Sequence, residues 1–267
     1  MTADHTCPVD WAARHGLLAG SLIDQSWCLS ARSEVIMRLV RPDPTAPELR
    51  LWSDGPLSIY YAPWDWLNTA AKIMLVGITP GRHQATEAQR EARRCLDAGL
   101  SNEEVLQRAD AVGSFSGPMR ANLVNMLDGI GMAEALGIRT TAELFSTHHH
   151  LAAHVSAIDY PVFVNGKNYG GTCPSLVRHS VLASLVRASL GARVAMAPTA
   201  LVVPLGTAAE KAVGILAHEG LLDRRRCLMG FPHPSGANGW RARQYVARRE
   251  AMRGAVTAWA SALCSAK

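Results

Sequence analysis

In the stretch FPHPSGANG (231–239), His233 stands between Pro232 and Pro234, with a hydroxyl at Ser235 and glycines at 236 and 239. Prolines fix φ and so restrict where the imidazole can point. An imidazole is a proton-transfer group or hydrogen-bond donor near neutral pH. A second stretch, KIMLVGITPGRHQ (72–84), stops an apolar run on Gly77, Pro80 and Gly81 and continues into Arg82, His83 and Gln84. Backbone that bends on glycine can approach a ligand closely, and a guanidinium beside it suits phosphate. Neither stretch has the G-x-x-x-x-G-K-[ST] or G-x-G-x-x-G spacing of nucleotide-binding loops. A third, NGKNYGGTCPS (165–175), opens on Asn165, whose amide can donate and accept at once. It also holds Cys173 before a helix, where a thiol can be activated, although a small residue beside the site is the expected role. Taken singly, GITPG is an ordinary strand-ending turn and HPSGANG fits a surface turn.

The elements around these loops alternate. Helices are expected over Asp10–Leu22 and Ala31–Leu39, and LRLWSDGPLSIYYAP reads as a hairpin turning on Asp54-Gly55. Strands are expected at Ala71–Ile78, 160–166 (YPVFVNG), 200–206 (ALVVPLG) and Arg226–Phe231. Helical patterns follow at Ala85–Leu106, Asn122–Leu127, Val177–Leu190, Thr207–His218 and Arg241–Ala262. Strands alternating with such helices predict a mostly parallel sheet with right-handed crossovers. In these sheets ligands bind beyond the carboxyl ends of the strands, where all three loops would lie. The expected fold is a single α/β/α sandwich with a central, mostly parallel four-stranded sheet. Residues 1–57 form a helical and hairpin extension, and 58–267 form the α/β domain.

Composition narrows the class. Of 267 residues, 48% are hydrophobic and 18% charged, which suits a buried core and excludes disordered or fibrous chains. The net charge of +5, carried mostly by arginine, permits a polyanionic partner without requiring one. The six cysteines form no C-x-x-C pair and read as reduced thiols of a cytoplasmic protein, which is expected to be a monomer. The charged start MTADHTCPVD and the lack of a long apolar run predict no leader and no membrane span. In THHHLAAH (147–154), His150 and His154 are four apart, a spacing that can hold zinc on a helix. No third ligand is evident, and a solvated histidine cluster is expected.

Together and in this order, the loops resemble the uracil-DNA glycosylase superfamily. Its first motif is a strand followed by G-x-x-P-[GY], here Gly77–Gly81, and its second is a C-terminal H-P-S loop, here His233–Ser235. The resemblance extends to Phe115 in VGSFSG as the aromatic that stacks on the base. It also covers Asn165 in VFVNG as the reader of the uracil edge, and ALVVPLG as the strand before the second motif. It spans residues 58–250.

What the resemblance implies is a monofunctional DNA glycosylase without metal or cofactor, acting on uracil or a related deaminated base in single- or double-stranded DNA. His233 would donate to the negative charge on the departing pyrimidine, and Thr79 would orient the attacking water. Gly77, Ile78, Phe115, Asn165 and Gln84 would line the base site. Pro80, Gly81, Arg82, Ser235, Asn238 and Arg241 would meet the DNA backbone. The sequence departs from the pattern at Thr79, where many members carry Asp or Asn, and at Ala237, where some carry a bulky apolar wedge. A threonine hydroxyl orients water but is no general base near neutral pH. Two other readings follow: a catalytically weak binder of damaged or abasic DNA, and a small-molecule hydrolase using Cys173.

Overall fold

The computed structural model describes residues 29–265, so the helix expected over Asp10–Leu22 lies outside the described residues. In chain order the elements are α1 (Leu29–Arg38), β1 (Arg50–Asp54), β2 (Leu57–Tyr60), β3 (Ile73–Gly77), α2 (Arg82–Asp97) and α3 (Asn102–Gly113). Next come α4 (Pro118–Asp128), α5 (Met132–Leu136), β4 (Ala152–Ser156), β5 (Val162–Val164) and β6 (Lys167–Asn168). The chain continues through α6 (Ser180–Val186), α7 (Ala192–Met196), β7 (Leu201–Pro204), α8 (Thr207–His218) and α9 (Arg241–Ser265). Local chemistry explains most boundaries. The helix expected over Ala85–Leu106 is two, because Gly99 takes φ +71° after α2 and Ser101 then caps α3. That cap is reciprocal: Ser101 Oγ accepts from Glu104 N, and Ser101 N donates to Glu104 Oε2 at 3.0 Å.

The strands form two sheets, in the orders β1-β2-β5-β6 and β4-β3-β7. The fold is therefore mixed α/β, but the expected four-stranded, mostly parallel sheet is not what forms. Segment 160–166 pairs antiparallel with the β1–β2 hairpin (Ile59↔Val162, Leu57↔Val164) instead of joining β3 and β7. The physical reason is its end: Asn165-Gly166 is a two-residue turn signal that folds β5 back onto β6. The strand expected at Arg226–Phe231 shrinks to one bridge, Val202↔Cys227. A tight turn at Arg224–Arg226 precedes it, and Pro232 follows without an N–H for a ladder.

The chain divides into two compact units. One comprises residues up to Leu67 with Ile78–Ser114 and Ser156–Arg193. It holds the antiparallel sheet, with the 57/58 position inside β2. Its core contains a buried ion pair, Arg193 Nε to Asp159 Oδ2 at 2.8 Å; the same guanidinium donates to the carbonyls of Trp64 and Trp66. Beside these, buried Asp65 accepts from Leu29 N at 2.9 Å and Tyr61 OH at 2.7 Å. Burial pushes the Asp65 carboxyl up to about 7, against the lowering pull of the Tyr61 hydroxyl and the Arg193 charge.

The other unit comprises Asn68–Gly77, Phe115–Val155 and Val194–Lys267. Its sheet is parallel where β3 and β7 pair, in register from Ile73↔Leu201 to Val76↔Pro204. Both strands are buried throughout, as strands covered on two faces are. Ile73, Leu75, Leu201 and Val203 pack with Leu123 and Leu127 of α4 and Met252 and Val256 of α9. Among the described residues no helix is long and apolar enough to cross a membrane.

Candidate functional site

The most organised polar loop of the second unit is the one that carries His233. Leaving β7, Leu205 N donates to Val76 O at 2.9 Å, and Gly206 N donates to Phe231 O at 2.8 Å. The backbone of Gly206, at φ +87°, passes directly against the half-buried His233: a Cβ on it would lie 2.7 Å from His233 Cβ. His233 thereby stands at the carboxyl end of the parallel strands, where the neighbouring strand β3 ends on Gly77.

The loop is tied from several sides. Asn122 Nδ2 of α4 donates to Pro234 O at 2.9 Å. Asn238 Nδ2 donates to His233 O at 3.2 Å and to Gln244 Oε1 at 3.0 Å. Arg241 Nη1 donates to Ser235 O at 2.8 Å, and Ser235 Oγ accepts from Ala237 N at 3.1 Å. These bonds hold a rigid loop, so Asn238 and Arg241, expected at DNA, act first as its struts. Asn122 and Gln244 did not stand out in the sequence; an isolated Asn or Gln on a helix carries no pattern that marks it.

The imidazole state follows from two observations. Ser235 N donates to His233 Nδ1 at 3.2 Å, which places the ring proton on Nε2. Burial pushes the His233 pKa down, which keeps the ring neutral. The loop thus holds a neutral imidazole whose free edge is an N–H donor.

Phe115, in the same unit, is 7% exposed and belongs to the hydrophobic cluster. Its edge contacts reach Phe145 and His154 at centroid distances of 6.4 and 6.0 Å. Phe145 and His154 stack at 4.8 Å, and the Arg120 guanidinium lies 4.6 Å over the Phe145 ring. Phe115 takes φ +50°, a conformation that aromatic side chains seldom adopt and that costs energy to hold. His150 and His154 do not share a helix face: His150 is in the short turn His149–Leu151, and His154 is in β4. Among the described residues no cluster of His, Cys, Asp and Glu fits a metal ion.

The chain passes between the units at several points, one of them between Gly77 and Ile78, and this division separates the expected site residues. It places Gly77, Phe115, His233, Ser235, Asn238 and Arg241 in one unit, and Ile78, Thr79, Pro80, Gly81, Arg82, Gln84 and Asn165 in the other. Within the latter, which holds the antiparallel sheet, Ile78 O accepts from Ile158 N at 3.1 Å, and Pro80 is buried. The Thr79 hydroxyl donates to Tyr160 O at 2.6 Å and accepts from Val162 N at 3.1 Å. It splices backbone to backbone, with its single proton committed. Gln84 Oε1 accepts from Gly81 N at 2.8 Å, which caps α2. Arg82 donates to Thr45 Oγ1 at 2.9 Å and Gly166 O at 3.0 Å, with its guanidinium 4.7 Å over Phe163. Asn165 is exposed, at φ +49°, in the turn between β5 and β6. It does not end a strand of the parallel sheet.

Cys173 is exposed, but the chain from 172 to 178 is turn and the next helix opens only at Ser180.

In comparison with known proteins, the chain is similar to the uncharacterized protein YoxB of Bacillus subtilis (strain 168), 35% identical over 225 residues. The match covers 84% of this chain and 88% of that protein. No protein-family model matches the chain. No solved structure matches it.

Proposed function

For this chain, which belongs to the same family as the Bacillus subtilis protein YoxB, we propose a DNA glycosylase that hydrolyses the N-glycosidic bond of uracil or a related deaminated base. The observation that carries this reading is the geometry of His233: its Nδ1 accepts from Ser235 N at 3.2 Å, which leaves the ring proton on Nε2, in a tied loop beyond the parallel strands where burial favours the neutral ring. When the bond from C1′ to the base breaks, its electron pair leaves with the pyrimidine. An N–H donor held beside a carbonyl oxygen of the departing base would stabilise the developing anion without reorganising. Losing such a donor raises a barrier by about 3–4 kcal/mol. A neutral donor suits the task, because it stabilises the charge without first having to be protonated. The water that attacks C1′ gives up its proton to solvent or to a nearby acceptor. The Thr79 hydroxyl spends its proton on Tyr160 O, so this reading assigns it no step and rests on the leaving group.

The base must leave its stack before reaching such a loop. The chain's net charge of +5 permits DNA as the partner. The test is incubation with an end-labelled oligonucleotide carrying one uracil, followed by alkali. A cleaved product that His233→Ala reduces by roughly 10²–10³ is the expected result. No product on uracil, xanthine or hypoxanthine strands overturns the glycosylase reading. The committed Thr79 hydroxyl favours one second reading, a damaged-DNA or abasic-site binder. Tight, salt-sensitive binding to abasic DNA without excision would identify it.

A further inference from the structure

We infer that Trp240 and Arg243 form a stacking platform for an unpaired nucleobase, which directs this protein to single-stranded DNA. Trp240 is the residue just before α9 and is 65% exposed, so it contributes little to the core. Exposure of a single aromatic ring carries no argument by itself; what singles out Trp240 is the cation held over its ring and its bond to the His233 loop. The Arg243 guanidinium lies 5.8 Å from the centroid over one ring face. That contact steadies the indole and adds positive charge beneath a π-system. A base laid on the remaining face completes a stack of arginine, tryptophan and base.

The placement ties this platform to the loop of His233. Trp240 N donates to Asn238 Oδ1 at 3.2 Å, and the amide of the same Asn238 donates to His233 O at 3.2 Å. The backbones that carry the indole and the imidazole are therefore held by one side chain. Gln244 N donates to Trp240 O at 2.9 Å, which makes the platform continuous with α9. That helix carries Arg241, Arg243, Arg248, Arg249 and Arg253 against one acid, Glu250, and although Arg241, Arg248 and Arg249 also donate to the carbonyls of Ser235, Gly230 and Gly129, their positive charge stays on this helix. The occupant is accordingly a polyanion that also presents flat apolar faces, which describes a nucleic acid. In a duplex, both faces of each base are already covered by its neighbours. Only an unpaired base meets an exposed ring without first breaking a stack.

The inference rests on the glycosylase reading for its choice of DNA, but its test is separable. Anisotropy of a short fluorescein-labelled oligothymidylate, free of uracil, reads the platform; uracil excision by wild-type protein, measured separately, reads the chemistry. Wild-type protein should bind the single strand more tightly than the same sequence in a duplex. Trp240→Ala should weaken single-strand binding roughly tenfold and duplex binding by less than about twofold. Trp240→Phe should keep most of the affinity, and thermal melting should show all variants folded. Unchanged single-strand affinity in folded Trp240→Ala overturns the platform, whatever the excision assay gives. Tighter binding of oligoriboadenylate than of oligodeoxyadenylate, both free of uracil, overturns DNA as the occupant. Loss of binding in Trp240→Ala supports the platform even if the wild type excises nothing, and in that case only the glycosylase reading falls.

Discussion

A Cβ placed on Gly206 would lie 2.7 Å from the Cβ of His233 and 3.3 Å from its Cα. No substituted carbon fits there unless the HPS backbone moves, and Gly206 also holds φ +87°. Gly206→Ala is therefore a mutation of His233 made from outside the loop. Its expected effect is a loss of uracil excision approaching that of His233→Ala, about 10²–10³-fold, with a smaller loss of stability. Gly55 supplies the control, since it has φ +52° and a Cβ added there would meet no atom within 4 Å. Gly55→Ala should lower the melting temperature and leave kcat/KM unchanged. Equal effects of both alanines on kcat/KM would break the link between Gly206 and the imidazole.

The lowered pKa of His233 has two consequences whose signs differ from those of an exposed histidine. Burial keeps the ring neutral below its ordinary value of 6.5. Because the neutral ring carries the donor on Nε2, kcat/KM for excision should stay flat as pH falls through 6.5, with no activating histidine ionisation. In the unfolded chain the ring takes up a proton at a higher pH than in the native state. Stability is therefore lost as pH falls from 6.5 towards the native pKa, and regained as pH rises. His233→Gln should remove this slope in denaturant titrations across the window. A rate that rises as His233 becomes protonated would contradict the neutral-donor mechanism.

Asn165 and Gly166, at φ +49° and +71°, form the turn that joins β5 to β6. Asparagine tolerates that conformation better than alanine does, so Asn165→Ala should cost about 1 kcal/mol of stability. Asn165→Gly should cost little, since glycine takes positive φ freely. If the side chain serves the turn alone, both variants excise uracil normally once folded. Loss of excision in Asn165→Gly with wild-type melting would show that the amide touches substrate.

These residues also show where the sequence was legible. The β1–β2 hairpin, β3, β7 and α8 follow from local chemistry: turn glycine, apolar run, and a helix opening after Gly206. The HPS loop was visible because proline, histidine and serine are chemically specific. The sheet order was harder to read, because Asn165-Gly166 marks both a loop after a strand and a tight hairpin. Only the partner strand decides between them, and β2 lies about a hundred residues away in sequence. The roles of Thr79 and Gln84 were hidden for a similar reason. Their partners, Tyr160 O and Gly81 N, are backbone atoms, which every residue possesses.

Asp65 gives a stability test in the other unit. Its carboxyl is pushed from 3.8 up to about 7 by burial, with Tyr61 OH and Leu29 N donating to it. The native state therefore holds a proton that the unfolded chain has released. Stability is full below 3.8 and is lost as pH rises through about 7. Asp65→Asn mimics the protonated acid and keeps an acceptor for Tyr61 and Leu29. The variant should melt with a flatter pH profile between those limits and gain on the wild type towards neutral pH. An unchanged slope would assign the pH dependence to other groups.

Thr79 bears most directly on mechanism. Its hydroxyl joins Tyr160 O to Val162 N, the start of β5, so the same proton cannot also be aimed at a water. Thr79→Val preserves shape, removes both bonds and leaves a backbone N–H and carbonyl without this partner. The expected cost is about 1–3 kcal/mol of stability. Thr79→Ser should recover most of it, because the hydroxyl is what bridges the two backbone segments. On the structural role, kcat for uracil excision per folded molecule stays near wild type in Thr79→Val. Were Thr79 to orient the attacking water, kcat would fall well beyond the loss of folded protein, and Thr79→Ser would restore it. Measuring kcat below the melting onset separates the two, because stability then no longer limits the active fraction. A fall in kcat under those conditions would return Thr79 to the chemistry and require its bond to Tyr160 O to break during the reaction.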